Sequence, residues 1–119
     1  MLNEVKVIGR TVKDPEKKKA GEGFFLIFTV AVNESYKKDG QWQERTDYFD
    51  VEIYSKNPEK LEEKLKKGNL ILVSGKLRLD RWEDDHGNKH SRIKIVANRI
   101  ILLKEVATAK SDEDEAIDL

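Results

Sequence analysis

The feature that most constrains this chain is one short helix, punctuated at both ends, in a sequence that otherwise reads as strands. Asn57 suits an N-cap, Pro58 sits at the first helical position where its missing N–H costs nothing, and Gly68 lies just past the end. Glu59 adds a carboxylate to the first turn. Leu61 and Leu65, four residues apart, form a single narrow apolar stripe, so the helix must lie against a larger body. The flanking segments show what that body is. Thr46 to Ser55 alternates: Phe49, Val51 and Ile53 share one parity, and Tyr48, Asp50, Glu52 and Tyr54 the other. Successive strand side chains point to opposite faces, so the first set is expected in the core, leaving two tyrosines among carboxylates outside. Phe24 to Val32 is nearly continuously apolar, the pattern of a curved strand covered on both faces.

The remaining segments complete an order. Leu2 to Arg10 is a short β-rich opening, and Val12 to Gly23 is polar and lysine-rich and reads as a loop. Glu34 to Arg45 reads as a polar hairpin connection with Lys38-Asp39-Gly40 as its turn. Beyond the helix come a strand from Leu70 to Leu79 with a bulge or bend at Gly75, a turn at Asp85-His86-Gly87-Asn88, and a last strand from Arg92 to Leu103. Three strands, one helix and two strands is the element order of the OB-fold. The expectation is therefore an all-β, five-stranded Greek-key barrel with one short helix between strands three and four. Residues 1–105 are assigned to that domain and 106–119 to a short acidic disordered tail.

Charge divides along the same boundary. All 23 Lys and Arg precede Ser111, as do 18 of the 23 Asp and Glu, so residues 1–110 carry +5 and the last nine carry −5. A basic body with an acidic tail points to a polyanionic ligand for the body and a separate task for the tail. The absence of cysteine excludes disulfides, thiol catalysis and Cys-based zinc sites. No apolar run approaches the ~20 residues that span a bilayer, and the opening residues contain no apolar signal core. A soluble, intracellular protein with no membrane partner is expected.

Single-stranded nucleic acid needs flat π-surfaces for its bases and cations along the track of its phosphates. Tyr48 and Tyr54 stand on the outer parity of the third strand, with Lys56 immediately after. Arg78 and Trp82 share a parity at the end of the fourth, with Arg81 between them. Tyr36 and Trp42 lie in the hairpin beside Lys37 and Lys38, and Arg10 ends the first strand. Two catalytic readings are weaker. His86 and His90 beside Asp84 and Asp85 have helical ligand spacing, but Gly87-Asn88 makes the segment a turn. A nuclease using Asp47, Asp50 and Glu52 is the other: Asp50 and Glu52 share the face with the tyrosines and could pair, yet no third ligand is visible. No enzyme activity, metal or cofactor is expected.

These residues also form a set of strings: Leu2-Asn3-Glu4-Val5 with Ile8-Gly9-Arg10, Asp14-Pro15-Glu16, Thr29-Val30-Ala31-Val32-Asn33 and Asp47-Tyr48-Phe49-Asp50-Val51. Further on come Lys67-Gly68, Val73-Ser74-Gly75-Lys76-Leu77-Arg78, Arg81-Trp82-Glu83-Asp84 and Gly87-Asn88-Lys89. Over roughly residues 1–103 the chain resembles bacterial single-stranded DNA-binding proteins, the OB-fold SSB family. The resemblance implies a homotetramer that wraps single-stranded DNA without sequence preference in replication, recombination and repair. Carried over by position, the stacking aromatics are Tyr36, Tyr48, Tyr54 and Trp82, and the phosphate contacts are Arg10, Lys56, Lys67, Arg78 and Arg81. The strand around Leu2 to Val7 is implied in dimer contacts. Asp112, Glu113, Asp114, Glu115, Ile117, Asp118 and Leu119 match the acidic tip through which family members recruit replication and repair proteins. The departures are tyrosines where several members carry tryptophan or phenylalanine, and Asp80 where many carry a cation. The long Gly/Gln/Pro-rich linker is missing, and the chain ends in Ile117-Asp118-Leu119 instead of Pro-Phe.

Overall fold

The computed structural model describes residues 1–105. Six strands and one helix follow in the order β1 (Val5–Thr11), β2 (Glu16–Ala20), β3 (Gly23–Lys38), β4 (Gln41–Ser55), α1 (Glu59–Lys64), β5 (Leu70–Glu83) and β6 (Lys89–Lys104). They form one sheet ordered β1-β5-β6-β4-β3-β2, and a further pairing of β1 with β3 through Arg10 and Thr11 closes five of the strands into a barrel. All ladders are antiparallel except β4 with β6. This is the five-stranded OB-fold barrel, with the helix between its third and fourth strands as expected.

The sixth strand is a correction. Glu16 to Ala20, expected as loop, pairs with β3 from Glu16↔Ile27 to Ala20↔Gly23. Its sequence has no apolar face to signal a strand. It is held instead by the ladder and by lysine stems, with the Lys17 and Lys19 ammonium groups 5.2 and 4.9 Å from the centre of the Phe24 ring. Lys17 also pairs with Glu62 of the helix at 3.3 Å. Both the β3–β4 and the β5–β6 hairpins run further than the sequence pattern suggests, because Glu34 to Arg45, Asp80 to Glu83 and Lys89 to Ser91 show no hydrophobic alternation. Phe49 has the parity of the core yet is 37% exposed, since β4 has left the barrel by that residue.

The core takes one parity from each barrel strand: Leu26, Phe28 and Val30, Val51 and Ile53, Ile71 and Val73, Ile95, Ala97 and Ile100, closed by Leu65 from the end of the helix. The helix starts differently from expectation. Pro58 occupies the N-cap without a side-chain cap, while the Asn57 N–H donates to Ser55 Oγ at 3.0 Å. Its far end is well satisfied. Asn69, buried, donates from Nδ2 to the Glu63 and Lys64 carbonyls at 3.1 Å each, filling acceptors that a helix terminus leaves open. Thr11 donates to the Lys66 carbonyl and receives the Gly68 N–H at 2.8 Å, which ties the helix exit to β1. No helix among the described residues is long and apolar enough to cross a membrane.

The two sheet edges differ. Beyond Arg10 and Thr11, β1 has no second partner strand among the described residues, so Val5 to Ile8 present an open edge. β2, at the other end, presents Lys17, Lys18 and Lys19. At Gly75, where the β5–β6 register slips, an added Cβ would collide with the Val96 carbonyl oxygen and come within 2.7 Å of Ala97 Cα. Both neighbours are backbone and cannot step aside. Gly75→Ala is therefore expected to cost about 1–3 kcal/mol or more, and about 1 kcal/mol already lowers the melting midpoint of such a domain by roughly 4–8 °C. An unchanged thermal melt followed by circular dichroism would contradict this account.

Candidate nucleic-acid interface

Two hairpins project past the barrel. The β3–β4 hairpin turns on Asp39 and Gly40, both with positive φ (53° and 78°), the type I′ geometry that matches strand twist. The β5–β6 hairpin closes on a turn built around Asp84. One oxygen of Asp84 accepts the His86 and Asn88 N–H groups at 2.9 and 2.8 Å, and the other receives the His90 ring at 2.9 Å. The hydrogen bond from His90, followed by that from Asn88, holds the Asp84 carboxyl below its ordinary range. The His90 ring in turn stacks on Trp82, centroids 5.5 Å apart and planes 21° from parallel.

Register decides what shares a face. Across β3–β4, Phe25 lies opposite Tyr54, Ala31 opposite Tyr48 and Lys37 opposite Trp42, all on the outer parity. β4 pairs with β6 through Glu52↔Val96, and β6 with β5 through Lys94↔Arg78, Arg92↔Asp80 and His90↔Trp82. The outer surface of β3, β4, β6 and β5 is thus one continuous face carrying Trp42, Tyr48, Tyr54 and Trp82, which are 72%, 66%, 43% and 48% exposed. Tyr54 is held edge-on to Phe25 at 5.1 Å, and its hydroxyl donates to the Ala20 carbonyl at 3.0 Å. Lys37 Nζ stands 6.0 Å from the Trp42 ring.

Between the rings lies a lattice of ion pairs. Lys94 reaches Glu52 and Asp80, each at 2.8 Å, and Arg92 reaches Asp50 at 3.2 Å; Asp50 also accepts from Thr29 at 3.1 Å. The hydrogen bonds to Asp80 and then Glu52 hold the Lys94 ammonium above its ordinary range. Asp50 and Glu52 are therefore engaged by cations of the face itself. Among the described residues no three His, Asp or Glu converge as ligands, and His90 is committed to Asp84 and Trp82. Exposed rings spaced by salt-bridged charges suit stacking of flat, polar partners.

Residues 2–103 match the family model described as the single-strand binding protein family. The chain belongs to that family. It is similar to the single-stranded DNA-binding protein of Aquifex aeolicus, 36% identical over 98% of this chain and 82% of that protein. It is also similar to single-stranded DNA-binding protein 1 of Synechocystis, 38% identical over 97% of this chain and 91% of that one. Among solved structures, the Plasmodium falciparum SSB in complex with single-stranded DNA superposes with a TM-score of 0.77 at 25% identity, covering 87% of this chain and 97% of that one.

Within the family fold, the candidate residues divide between surfaces. Tyr48, Tyr54, Trp82 and Arg78 share the outer face, and Arg10, opposite Ala31, extends the row that contains Tyr48. Tyr36, opposite Gln43, and Arg81, opposite Ser91, occupy the other parity of their hairpins. Arg81 still borders a shallow hollow beside Trp82, Lys89 and His90 at the hairpin end. Arg10 donates to the Gly68 carbonyl at 2.9 Å, and the neighbouring Lys67 is anchored by its N–H to Asp14 at 2.9 Å. Lys56 is exposed just past β4. Trp42 is marked in the sequence as a hairpin ring but is absent from the residues carried over by resemblance, and nothing in the sequence singles out Lys18 or Lys94. Counting outward from Asp39-Gly40 would have placed Trp42 with Tyr48. Lys18, opposite Phe25, depended on a strand that was not foreseen. The tail residues from Asp112 to Leu119 lie outside the described residues.

Proposed function

We propose that this chain binds single-stranded DNA without reading its sequence, protecting it in the cytoplasm during replication, recombination and repair, in a non-enzymatic role. The observation that carries this is the single face on which Tyr48, Tyr54 and Trp82 stand exposed with Arg78 and Arg10 alongside. Bases of any kind have a stacking face, and the cations take the phosphates. The relatives' names and the DNA-bound Plasmodium falciparum structure support the same reading. Removal of the Trp82 ring in Trp82→Ala should weaken binding to a dT oligomer by ~1–3 kcal/mol, whereas Tyr54→Phe, which keeps its ring, should be mild. Arg78→Ala should reduce the slope of log affinity against log salt by about 0.7, with all sequences weakened alike. Fluorescence titrations at several salt concentrations test both; unaltered affinity of Trp82→Ala would remove the stacking role.

A homotetramer is part of the proposal. The open β1 edge at Val5 to Ile8 and the exposed Leu77, Leu79 and Ile93, on the inner parity beyond the barrel, offer apolar and hydrogen-bonding surface to further copies. Light scattering should give four subunits, and a monomer at micromolar concentration would refute this.

The acidic tip, Asp112 to Leu119, is proposed to recruit replication and repair proteins through its carboxylates and the side chains of Ile117 and Leu119. Deleting residues 111–119 should leave the melting of the folded body unchanged and abolish those associations in pull-downs with purified replication proteins. Retained association would assign it to the body.

A further inference from the structure

Cations on a nucleic-acid-binding face are not equivalent if some are already neutralised. On this face Lys94 stands between the rings of β4 and that of β5, and is the most enclosed of the cations there. It is held at 2.8 Å by both Glu52 and Asp80. Arg92 is held by Asp50. These three carboxylates offset both cations, so the centre of the face carries no net positive charge although it is rich in basic residues. Arg78, directly opposite Lys94 on the neighbouring strand, makes no ion pair among the described residues, and neither does Lys18 on the β2 flank. Uncompensated positive charge therefore lies on the flanking strands β5 and β2, while the paired charges centre on β6, between the rings of β4 and Trp82.

We propose that Asp80 and Glu52 act as specificity-determining residues. By compensating Lys94 they keep phosphates off the centre of the face, so that bases lie over the rings and ion pairs while the backbone follows the marginal cations. The inference rests on the reading of this face as a single-strand binding surface and concerns how the strand is oriented on it. A phosphate placed over the centre would meet Asp80, whose side chain is 45% exposed, at a distance where screening is incomplete. A base placed there meets a neutral lattice with spare carboxylate lone pairs. The carboxylates thus act as a brake on backbone attraction, favouring a strand with accessible bases over a duplex whose bases are turned inward.

The brake can be released. Binding of the full chain to a fluorescein-labelled dT oligomer, read by polarisation across a salt series, compares the wild type with Asp80→Asn, Asp80→Glu, the double variant Asp80→Asn with Glu52→Gln, and Glu62→Gln. The last removes one carboxylate from a lysine pair away from the face and controls for net charge. Asp80→Asn is expected to bind roughly two- to fivefold more tightly at low salt, the Coulombic effect of one nearby charge, and the gain should vanish at high salt. The double variant, which frees the Lys94 ammonium, should steepen the log–log salt slope by about 0.7. It should also raise affinity for a duplex of the same length more than for the single strand. Asp80→Glu and Glu62→Gln should match the wild type. Unaltered affinity of Asp80→Asn at low salt, or an equal gain from Glu62→Gln, overturns the proposal while leaving single-strand binding intact. A wild-type chain that does not bind the oligomer overturns the underlying reading and this inference with it. Thermal melts of each variant show that the comparison is between folded proteins, and Asp80→Asn alone decides should the double variant not fold.

Discussion

The interaction on which the rest of the structure depends is the antiparallel ladder between β3 and β4, fifteen pairs long from Phe24↔Ser55 to Lys38↔Gln41. A slip of β4 by one residue against β3 would send Val51 and Ile53 outward and the tyrosines into the core, while Leu26 and Phe28 stayed inward. The register is pinned at one end by Asp39-Gly40, whose two positive φ angles admit a two-residue turn, and in the middle by burial of those four side chains. The parallel contact of Val51 with Ile95 then passes the register to β6, and the β5–β6 ladder passes it to Trp82. The rings on β4 and β5 face one way because of a turn at the tip of one hairpin.

What could be read from the sequence follows from where burial is one-sided. The alternation of Thr46 to Ser55 and the punctuation at Pro58 and Gly68 placed the third strand and the helix, and with them the barrel, because those features reflect local chemistry and a half-buried face. β2 was invisible for the opposite reason: its strand character comes from pairing with Phe24 to Ile27, and its lysines are those of any solvated loop. The outer half of the β3–β4 hairpin reads as connection in the sequence for the same cause. Its pairing is backbone to backbone, and neither face of Glu34 to Lys38 has anything to bury.

The candidate site was legible as residue types more than as geometry. Tyr48, Tyr54, Arg78 and Trp82 were grouped by parity within their own strands, and the parallel β4–β6 contact joins the two groups. The placement of Tyr36 and Arg81 on the opposite parity follows from the same alternation, applied through turns whose lengths were not fixed by composition. The pairing of Asp80 with Lys94 could not be seen at all, since their proximity arises across a hairpin and no pattern along the chain encodes it. Asp80, which resemblance alone marks as an odd anion in a phosphate track, is in the structure one arm of a two-carboxylate clamp.

The unlike edges of the sheet have a consequence for growth. An edge strand is a template, and a protein with two bare edges can add copies end to end into a fibre. Here the run from Val5 to Ile8 is bare, whereas the opposite margin presents three consecutive lysines on β2. Two molecules can join bare edge to bare edge about a twofold axis, which uses the same patch on each and leaves none over. What then faces solvent at either end of the joined sheets is a lysine-lined margin that repels its own kind. Edge pairing of that kind would stop at two molecules, and any further copy would have to be added through another surface.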